Sequence, residues 1–353
     1  MRRNIQFMVD KALATGVRLR PHFKTHQSME VGAWFRETGI DQATVSSMGQ
    51  ASYFARGGWD DITVAVPINV GEIDEINRLA KAIQLGLLVD SEVAVRFLKD
   101  RLTARVRVWI KVDVGYGRVG VPWHQREAVI ALAARITTSD KMTFAGLLTH
   151  AGHSYLAKNT DEILAINSAV TERMVGLRQA LERAGIERFE LSIGDTPCCS
   201  LADSFPGVDE IRPGNFVFYD AMQQKLGACT QEQIAVAVAC PVIGVYPERR
   251  QVVIYGGAVH LSKEHLKDRD GNNFFGYVTR LGKDGFGPID ERLFVSNLSQ
   301  EHGIITVAAR SLIDDIHLGD TIIVLPIHAC LTANLYAEYE TLEGRIVPRR
   351  EKN

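Results

Sequence analysis

The sequence predicts an α/β protein: a (β/α)8 TIM barrel followed by a mostly antiparallel β domain. Three observations predict it. Short apolar runs alternate with amphipathic helical stretches through the first two-thirds of the 353 residues. The alternation supplies eight strand–helix units, the number that closes a barrel. Beyond about Gln224 the pattern changes to strands separated by turn residues, with no long helix between them. The barrel is therefore placed over residues 1–224 and the β domain over residues 225–353.

The barrel strands are expected at 17–23, 43–46, 62–66, 86–89, 106–113, 144–150, 189–193 and 208–212. Their apolar character suits a parallel sheet covered by helices. Helices are expected at 27–37, 49–56, 71–82, 91–99, 124–136 and 161–184, with Ser91 starting one and Gly185 ending another. An open, doubly wound sheet is the rival arrangement. No Gly-rich dinucleotide fingerprint follows the first strand, which weighs against it. In the second domain strands are expected at 236–245, 251–255, 274–279, 301–307, 321–325 and 345–348. The turns between them are Pro247-Glu248, Gly256-Gly257, Asp270-Gly271 and Gly319-Asp320.

Composition narrows the function classes. Hydrophobic residues are 46% and charged residues 23%, enough to build a buried core. The formal net charge is −2, so no basic surface for nucleic acid or an anionic membrane is expected. The longest apolar run, 234–246, is interrupted by Pro241, too short for a membrane span. Met1-Arg2-Arg3 is not followed by an apolar segment, so a signal peptide is not expected. Five cysteines without a framework spacing suit a reduced, cytoplasmic protein.

The strongest local signal is Arg20-Pro21-His22-Phe23-Lys24-Thr25-His26, where the first strand ends. Barrel enzymes carry their chemistry at the C-terminal ends of strands. A lysine there can form a Schiff base if its surroundings lower its pKa. Taken alone, such a lysine is more often a solvated loop residue. The other strand ends add weight. Asp113-Val114-Gly115-Tyr116-Gly117-Arg118 follows the fifth, Thr149-His150-Ala151-Gly152-His153-Ser154-Tyr155 the sixth, Gly194-Asp195-Thr196-Pro197 the seventh and Arg212-Pro213-Gly214-Asn215 the eighth. Each piece alone reads as a turn or a core histidine. Together they put polar and Gly-rich residues on one rim, and the last two loops are where barrels commonly hold phosphate.

With these motifs in order, the sequence resembles the fold-type III pyridoxal 5'-phosphate (PLP) enzymes, the alanine-racemase-like group. Within that group it resembles the branch of D-serine dehydratases and D-threonine aldolases, and the resemblance covers almost the whole chain. It implies that Lys24 carries PLP, that His150 packs on the pyridine ring and that Arg118 lies near the ring oxygen. It also implies that Gly194, Thr196, Gly214 and Asn215 hold the phosphate, and that Tyr155 reaches the ring nitrogen. The resembling proteins usually begin with an extra strand that is absent here, so the β domain is expected to lack one strand or the start to be trimmed.

In the second domain, Leu325-Pro326-Ile327-His328-Ala329-Cys330 places an imidazole and a thiol two residues apart. On an extended segment they would share a face and could bind Zn2+ or another divalent metal. By spacing alone, a buried cysteine beside a core histidine is the commoner outcome. The resemblance implies a metal at this pair: its dehydratases carry His-x-Cys where its D-threonine aldolases carry His-x-Asp. Glu301 and His302 match a motif of the branch near that site.

The activity implied is a lyase reaction, elimination of water from a β-hydroxy-D-amino acid such as D-serine to give a 2-oxo acid and ammonia. The D configuration comes from the resemblance alone. An aldolase acting on D-threonine or 3-hydroxy-D-aspartate, and a racemase, share the scaffold. A non-catalytic PLP carrier would have no use for the β domain. The resemblance further implies a homodimer.

Overall fold

The computed structural model describes residues 1–268, 270–282 and 285–351, and the chain divides into two units, one over Asn4–Phe216 and one from Val217 onward. In the first unit, eight parallel strands follow one another: β1 (Arg18–Leu19), β2 (Gln42–Val45), β3 (Asp61–Pro67), β4 (Gln84–Val89), β5 (Val106–Asp113), β6 (Met142–Leu148), β7 (Glu190–Ile193) and β8 (Glu210–Ile211). Val121–Pro122 pairs beside β5, off the main path. β1 pairs with β8 through Arg18↔Glu210 and Leu19↔Ile211. A parallel bridge between His22 and Thr44 joins the other side of the first strand segment to β2 and closes the ring.

The closure differs in detail from the strand expected at 17–23. Pro21 has no N–H, so it contributes only its carbonyl, which accepts from Thr44 N–H at 2.9 Å. Phe23 N–H then donates to Thr44 O at 2.8 Å, and His22 N–H to Pro213 O at 2.9 Å. The expected strand is thus a two-residue strand plus a bridge.

Charged residues of several strands meet below this closure. Arg20 is fully buried. Its Nε donates to Glu210 Oε2 at 2.7 Å, and its terminal nitrogens donate to Asp61 Oδ1 at 2.6 Å and Gln42 Oε1 at 2.7 Å. Glu210, also fully buried, accepts from Ser192 Oγ at 2.7 Å. Arg18 and Arg107 both face Glu190, and Arg107 also reaches Asp61 at 3.2 Å. Burial opposes the Arg20 charge, but Glu210 and Asp61 outweigh it and raise its pKa. Toward the rim the filling becomes apolar, with Leu88, Trp109, Ala145 and Leu148 in one cluster.

The helices begin where capping residues allow. Ser28, Ser47, Ser91 and Asn159 accept backbone N–H groups at the starts of α2 (Met29–Arg36), α3 (Met48–Arg56), α5 (Glu92–Arg101) and α7 (Thr160–Arg183). The first of the series is α1 (Arg2–Thr15) and the fourth is α4 (Ile73–Ala80); α6 (Arg126–Thr137) lies between β5 and β6. Gly185, at φ +79°, follows α7, as its sequence position suggested.

The second unit holds a closed antiparallel barrel made of β9 (Val238–Tyr246), β10 (Gln251–Tyr255), β11 (Gly276–Thr279), β12 (Leu293–Leu298), β13 (His302–Val307) and β14 (Thr321–Pro326), in the order β9-β10-β13-β12-β11-β14. Alternate residues of β9 point inward: Val238, Cys240 and Val242 pack with Val252, Ile254, Ile305 and Val324. Sequence reading missed β12, because a register shift between Val295 and Asn297 breaks its alternation. The strand expected at 345–348 is Ile346–Pro348, which pairs with Glu338–Glu340 in a separate ribbon. Among the described residues no helix is long and apolar enough to cross a membrane.

The buried Arg20–Glu210 pair generates a prediction. Glu210→Ala leaves the Arg20 guanidinium short of a partner in a dry interior, and should cost about 3–5 kcal/mol. Urea unfolding followed by circular dichroism should show the midpoint falling accordingly; an unchanged midpoint contradicts the role given to the pair.

Candidate active site

Phe23 and His26 anchor the segment that carries Lys24. Phe23 is completely buried against Phe35, Phe54 and Trp59, with ring centroids 4.8–5.2 Å apart, and His26 lies 4.6 Å from it. With both flanking rings buried, Lys24 between them is left exposed at the rim. Its backbone N–H donates to His22 Nδ1 at 3.4 Å.

The loop after β8 lies directly on this segment. A Cβ placed on Gly214 would stand 2.8 Å from His22 O and 3.0 Å from Thr25 Oγ1, so only glycine fits. The loop after β7 is equally tight: a Cβ on Gly194 would come within 2.8 Å of the Arg212 backbone. Asp195 caps α8 (Thr196–Leu201) by accepting Cys198 N–H at 2.8 Å, and Ser154 Oγ donates to the same carboxylate oxygen at 2.8 Å. The Thr196 hydroxyl is buried and has no hydrogen-bond partner. An unsatisfied hydroxyl between two glycine-tight loops fits a phosphate group that brings its own oxygens. Asn215, next to Gly214, is buried at the same place. Tyr155 joins this side, since its hydroxyl accepts Thr196 N–H at 3.5 Å.

His150 lies just past the end of β6 rather than within it. Its Nδ1 donates to Gly194 O at 2.7 Å, which ties the ring to the same loop and leaves Nε2 without the proton. Burial pushes its pKa well below the ordinary value; the Gly194 carbonyl opposes this, and Lys24, Lys111 and Arg118 add to it. His22 is lowered well below its ordinary value by burial and then by Lys24, Arg212, His150 and His26. Both rings are neutral at pH 7, and the rim's positive charge comes from Lys24, Arg118, Lys111 and Arg212. Arg118 follows a loop shaped by Asp113, whose carboxylate accepts from Gly115 N–H at 2.9 Å and Gly117 N–H at 3.0 Å. Gly115 and Gly117 both adopt positive φ there. Sequence reasoning missed Lys111; its signal is a lysine in the otherwise apolar second half of β5, Trp109-Ile110-Lys111-Val112.

In the second unit, His328 and Cys330 meet, though not for the reason that spacing suggested. His328 is extended, at φ −131° and ψ 103°, but Cys330 is already inside the short helix Ala329–Ala333. The turn of backbone, not a shared strand face, brings the thiol within hydrogen-bonding reach of the imidazole. Asp220, fully buried, organises the pair. Its Oδ2 accepts Ala329 N–H at 2.8 Å and lies 3.4 Å from His328 Nδ1, while Oδ1 accepts Gln223 N–H at 2.9 Å. Burial opposes charge on His328, but Cys330 and Asp220 outweigh it and raise its pKa well above the ordinary value. A carboxylate on Nδ1 leaves Nε2 and the thiolate as donors, an arrangement that fits a divalent ion with open positions. Among the described residues no cluster of three or more His, Cys, Asp or Glu side chains is poised for a metal. Asp220 could have been suspected only as a helix cap preceding Ala221–Lys225.

Glu301 and His302 are found at the start of β13, where Glu301 Oε2 lies 3.9 Å from His260 Nε2. Tyr255 pairs directly with His302 across β10 and β13.

A closed eight-stranded parallel barrel with a lysine at the end of its first strand and glycine-tight loops after the last two is the scaffold of fold-type III PLP enzymes. The chain belongs to that family: the alanine racemase N-terminal domain matches residues 1–221, and a serine dehydratase domain matches residues 235–342. It is 31% identical over 352 residues to the D-threo-3-hydroxyaspartate dehydratase of Delftia sp. (strain HT23), covering 97% of this chain and 91% of that protein. It is 30% identical over 372 residues to the D-serine dehydratase of Dictyostelium discoideum, covering 98% and 91%. The solved structure of a D-threo-3-hydroxyaspartate dehydratase cysteine-to-alanine mutant, in the metal-free form, superposes with a TM-score of 0.91 at 28% identity, covering 100% of this chain and 95% of that one.

The Asp220–His328 contact can be tested directly. Asp220→Asn keeps an acceptor for the helix caps but removes the negative charge behind the imidazole. Affinity for Zn2+, measured by competition with a chelator, should fall about 10–100-fold. Unaltered affinity would mean that Asp220 serves only the backbone.

Proposed function

We propose that this chain is a PLP- and divalent-metal-dependent dehydratase of β-hydroxy-D-amino acids, a lyase that releases a 2-oxo acid and ammonia. The observation that carries the reading is the imidazole–thiol pair His328 and Cys330 backed by Asp220, in a chain whose barrel exposes Lys24 and buries the unsatisfied Thr196 hydroxyl. The names of the relatives support it.

Lys24 would hold PLP through its amine, with Gly194, Thr196, Gly214 and Asn215 around the phosphate and Arg118 near the ring oxygen. His328 and Cys330 would hold the metal, with Zn2+ the ion best suited to an imidazole and a thiolate. When bound, PLP supplies an electron sink for charge left at Cα, and the metal a Lewis acid for the departing hydroxyl. Lys24 Nζ would be the base that takes the Cα proton. His150 stays neutral and keeps its orientation through Gly194, so it packs without competing for that proton. A thiolate at position 330 favours loss of the β-oxygen with its proton; a carboxylate there could instead strip that proton, as an aldolase requires. The reading includes a homodimer in the cytoplasm whose other partner is the amino acid.

Two outcomes check it. Purified protein should be yellow, and borohydride should fix the cofactor to the peptide containing Lys24; label on any other lysine removes Lys24 from its role. Metal-replete enzyme should convert D-threonine to 2-oxobutyrate and ammonia faster than to glycine and acetaldehyde, and chelation should stop turnover while the cofactor absorption stays. If glycine and acetaldehyde dominate, the aldolase reading replaces this one.

A further inference from the structure

A cavity of about 280 Å3 lies at the C-terminal ends of β2 and β3. It sits outside the ring of strands. Leu88 belongs to the barrel filling, and Thr63 pairs with Gly86 on that same inner face. By strand alternation Leu87 and Val64 face the helix layer instead. These two side chains form the cavity floor with Met48 of α3 and Ile76 of α4, and all four are buried. The cavity has a local cause. The pairing of β3 with β4 shifts register between Thr63 and Pro67, and Pro67 brings no N–H to the ladder. The chain then leaves the sheet and turns into α4, so no side chain fills the space between the wall and the two helices. None of the lining residues is assigned to the cofactor or to the metal.

The polar groups at the mouth differ in how far they are engaged. Ser47 Oγ accepts Gln50 N–H at 3.2 Å, and Asn69 Oδ1 accepts Gly71 N–H at 3.1 Å. Ser46 Oγ lies 3.5 Å from His22 Nε2. The half-buried Glu72 carboxylate makes no side-chain hydrogen bond or ion pair among the described residues. Its charge does not by itself select a cation. Ser47 and Glu72 stand at the starts of α3 and α4, and each helix start brings about half a positive charge. Together the two offset one carboxylate, so the space is close to electrically neutral. An occupant gains most from an apolar body on the floor and one donor for Glu72. We propose that this cavity binds a small neutral apolar molecule carrying a single hydrogen-bond donor, of the size of indole. The size agrees, since an apolar cavity of about 150 Å3 holds one benzene ring. The site does not depend on the dehydratase reading.

The test is binding of indole to the holoenzyme, read by saturation-transfer NMR and isothermal titration. Indole has no primary amine, so it forms no imine with a cofactor. It should bind saturably. N-Methylindole, the same body without the donor, should bind about ten- to a hundredfold more weakly, the worth of a hydrogen bond to a charged group. In Glu72→Leu the two ligands should bind alike. Val66→Trp, at an exposed position on the edge of the cavity, should exclude both. Benzyltrimethylammonium and benzenesulfonate should bind the wild type more weakly than indole does. Circular dichroism identifies a variant that has failed to fold, and the comparison of indole with N-methylindole on the wild type needs no variant. Four results overturn the proposal: no saturable indole binding to the wild type, equal affinity for indole and N-methylindole, unchanged binding in folded Val66→Trp, or tighter binding of either charged ligand.

Discussion

Arg20 shares its guanidinium between Glu210 on β8 and Asp61 on β3, and also donates to Gln42 on β2, and the first unit depends on that arrangement. β1 has only two residues, too few for backbone pairing alone to hold it between β8 and β2. A fully buried ion pair supplies the missing constraint, because either charge left without the other would be strongly unfavourable in the barrel interior. Once Arg20 is set, the chain has no freedom over the next four residues. Pro21 and Phe23 complete the bridge to Thr44, and Lys24 emerges where the ring closes. The same closure lays Gly214 on His22, so Lys24 and the loop after β8 are placed by a single structural event.

The rim above this closure is assembled from positive and neutral groups. Lys111 and Arg212 are both pulled down in pKa by burial, to about 7 and about 10, and the two histidines nearest Lys24 are kept neutral. Such a collection favours an anionic neighbour over a further cation. Arg212 is not available to a ligand: it donates to Ser192 Oγ at 2.6 Å and to the carbonyl of Thr149, bracing the ends of β6 and β7. Its charge still acts at a distance on His22 and Lys111.

In the second unit the corresponding organiser is Asp220. One carboxylate caps the helix Ala221–Lys225, takes the N–H of Ala329 and faces His328. Those three tasks join the start of this unit to the His328–Cys330 turn near its end, within a frame otherwise built from the apolar alternation of six strands. The imidazole–thiol pair is thus oriented by a buried charge, just as the Lys24 segment is.

Much of this was legible from residue order. Eight apolar runs, their helices with Ser91 and Gly185 at the ends of two of them, and the change to turn-separated strands follow from local propensity and periodicity, which neighbouring residues carry by themselves. The candidate residues on the rim were legible because a barrel converts the ends of successive strands into one site, so that distant motifs need no contact information to be grouped. What local pattern could not decide was anything that depends on a partner far away in the chain. β12 was hidden because its bulge is defined only by pairing with β13. The roles of Asp220 and Lys111 lie in what surrounds them: one carboxylate reaches across more than a hundred residues to Ala329, and one lysine is buried among arginines contributed by other segments. For His328 and Cys330, it was the turn into the helix, set by packing and capping, that brought them together. Sequence by itself determined most of the strands and helices and the order of the rim segments; only the tertiary structure decided which charges are buried together, because electrostatic partnership in a low-dielectric interior depends on distance in space and not along the chain.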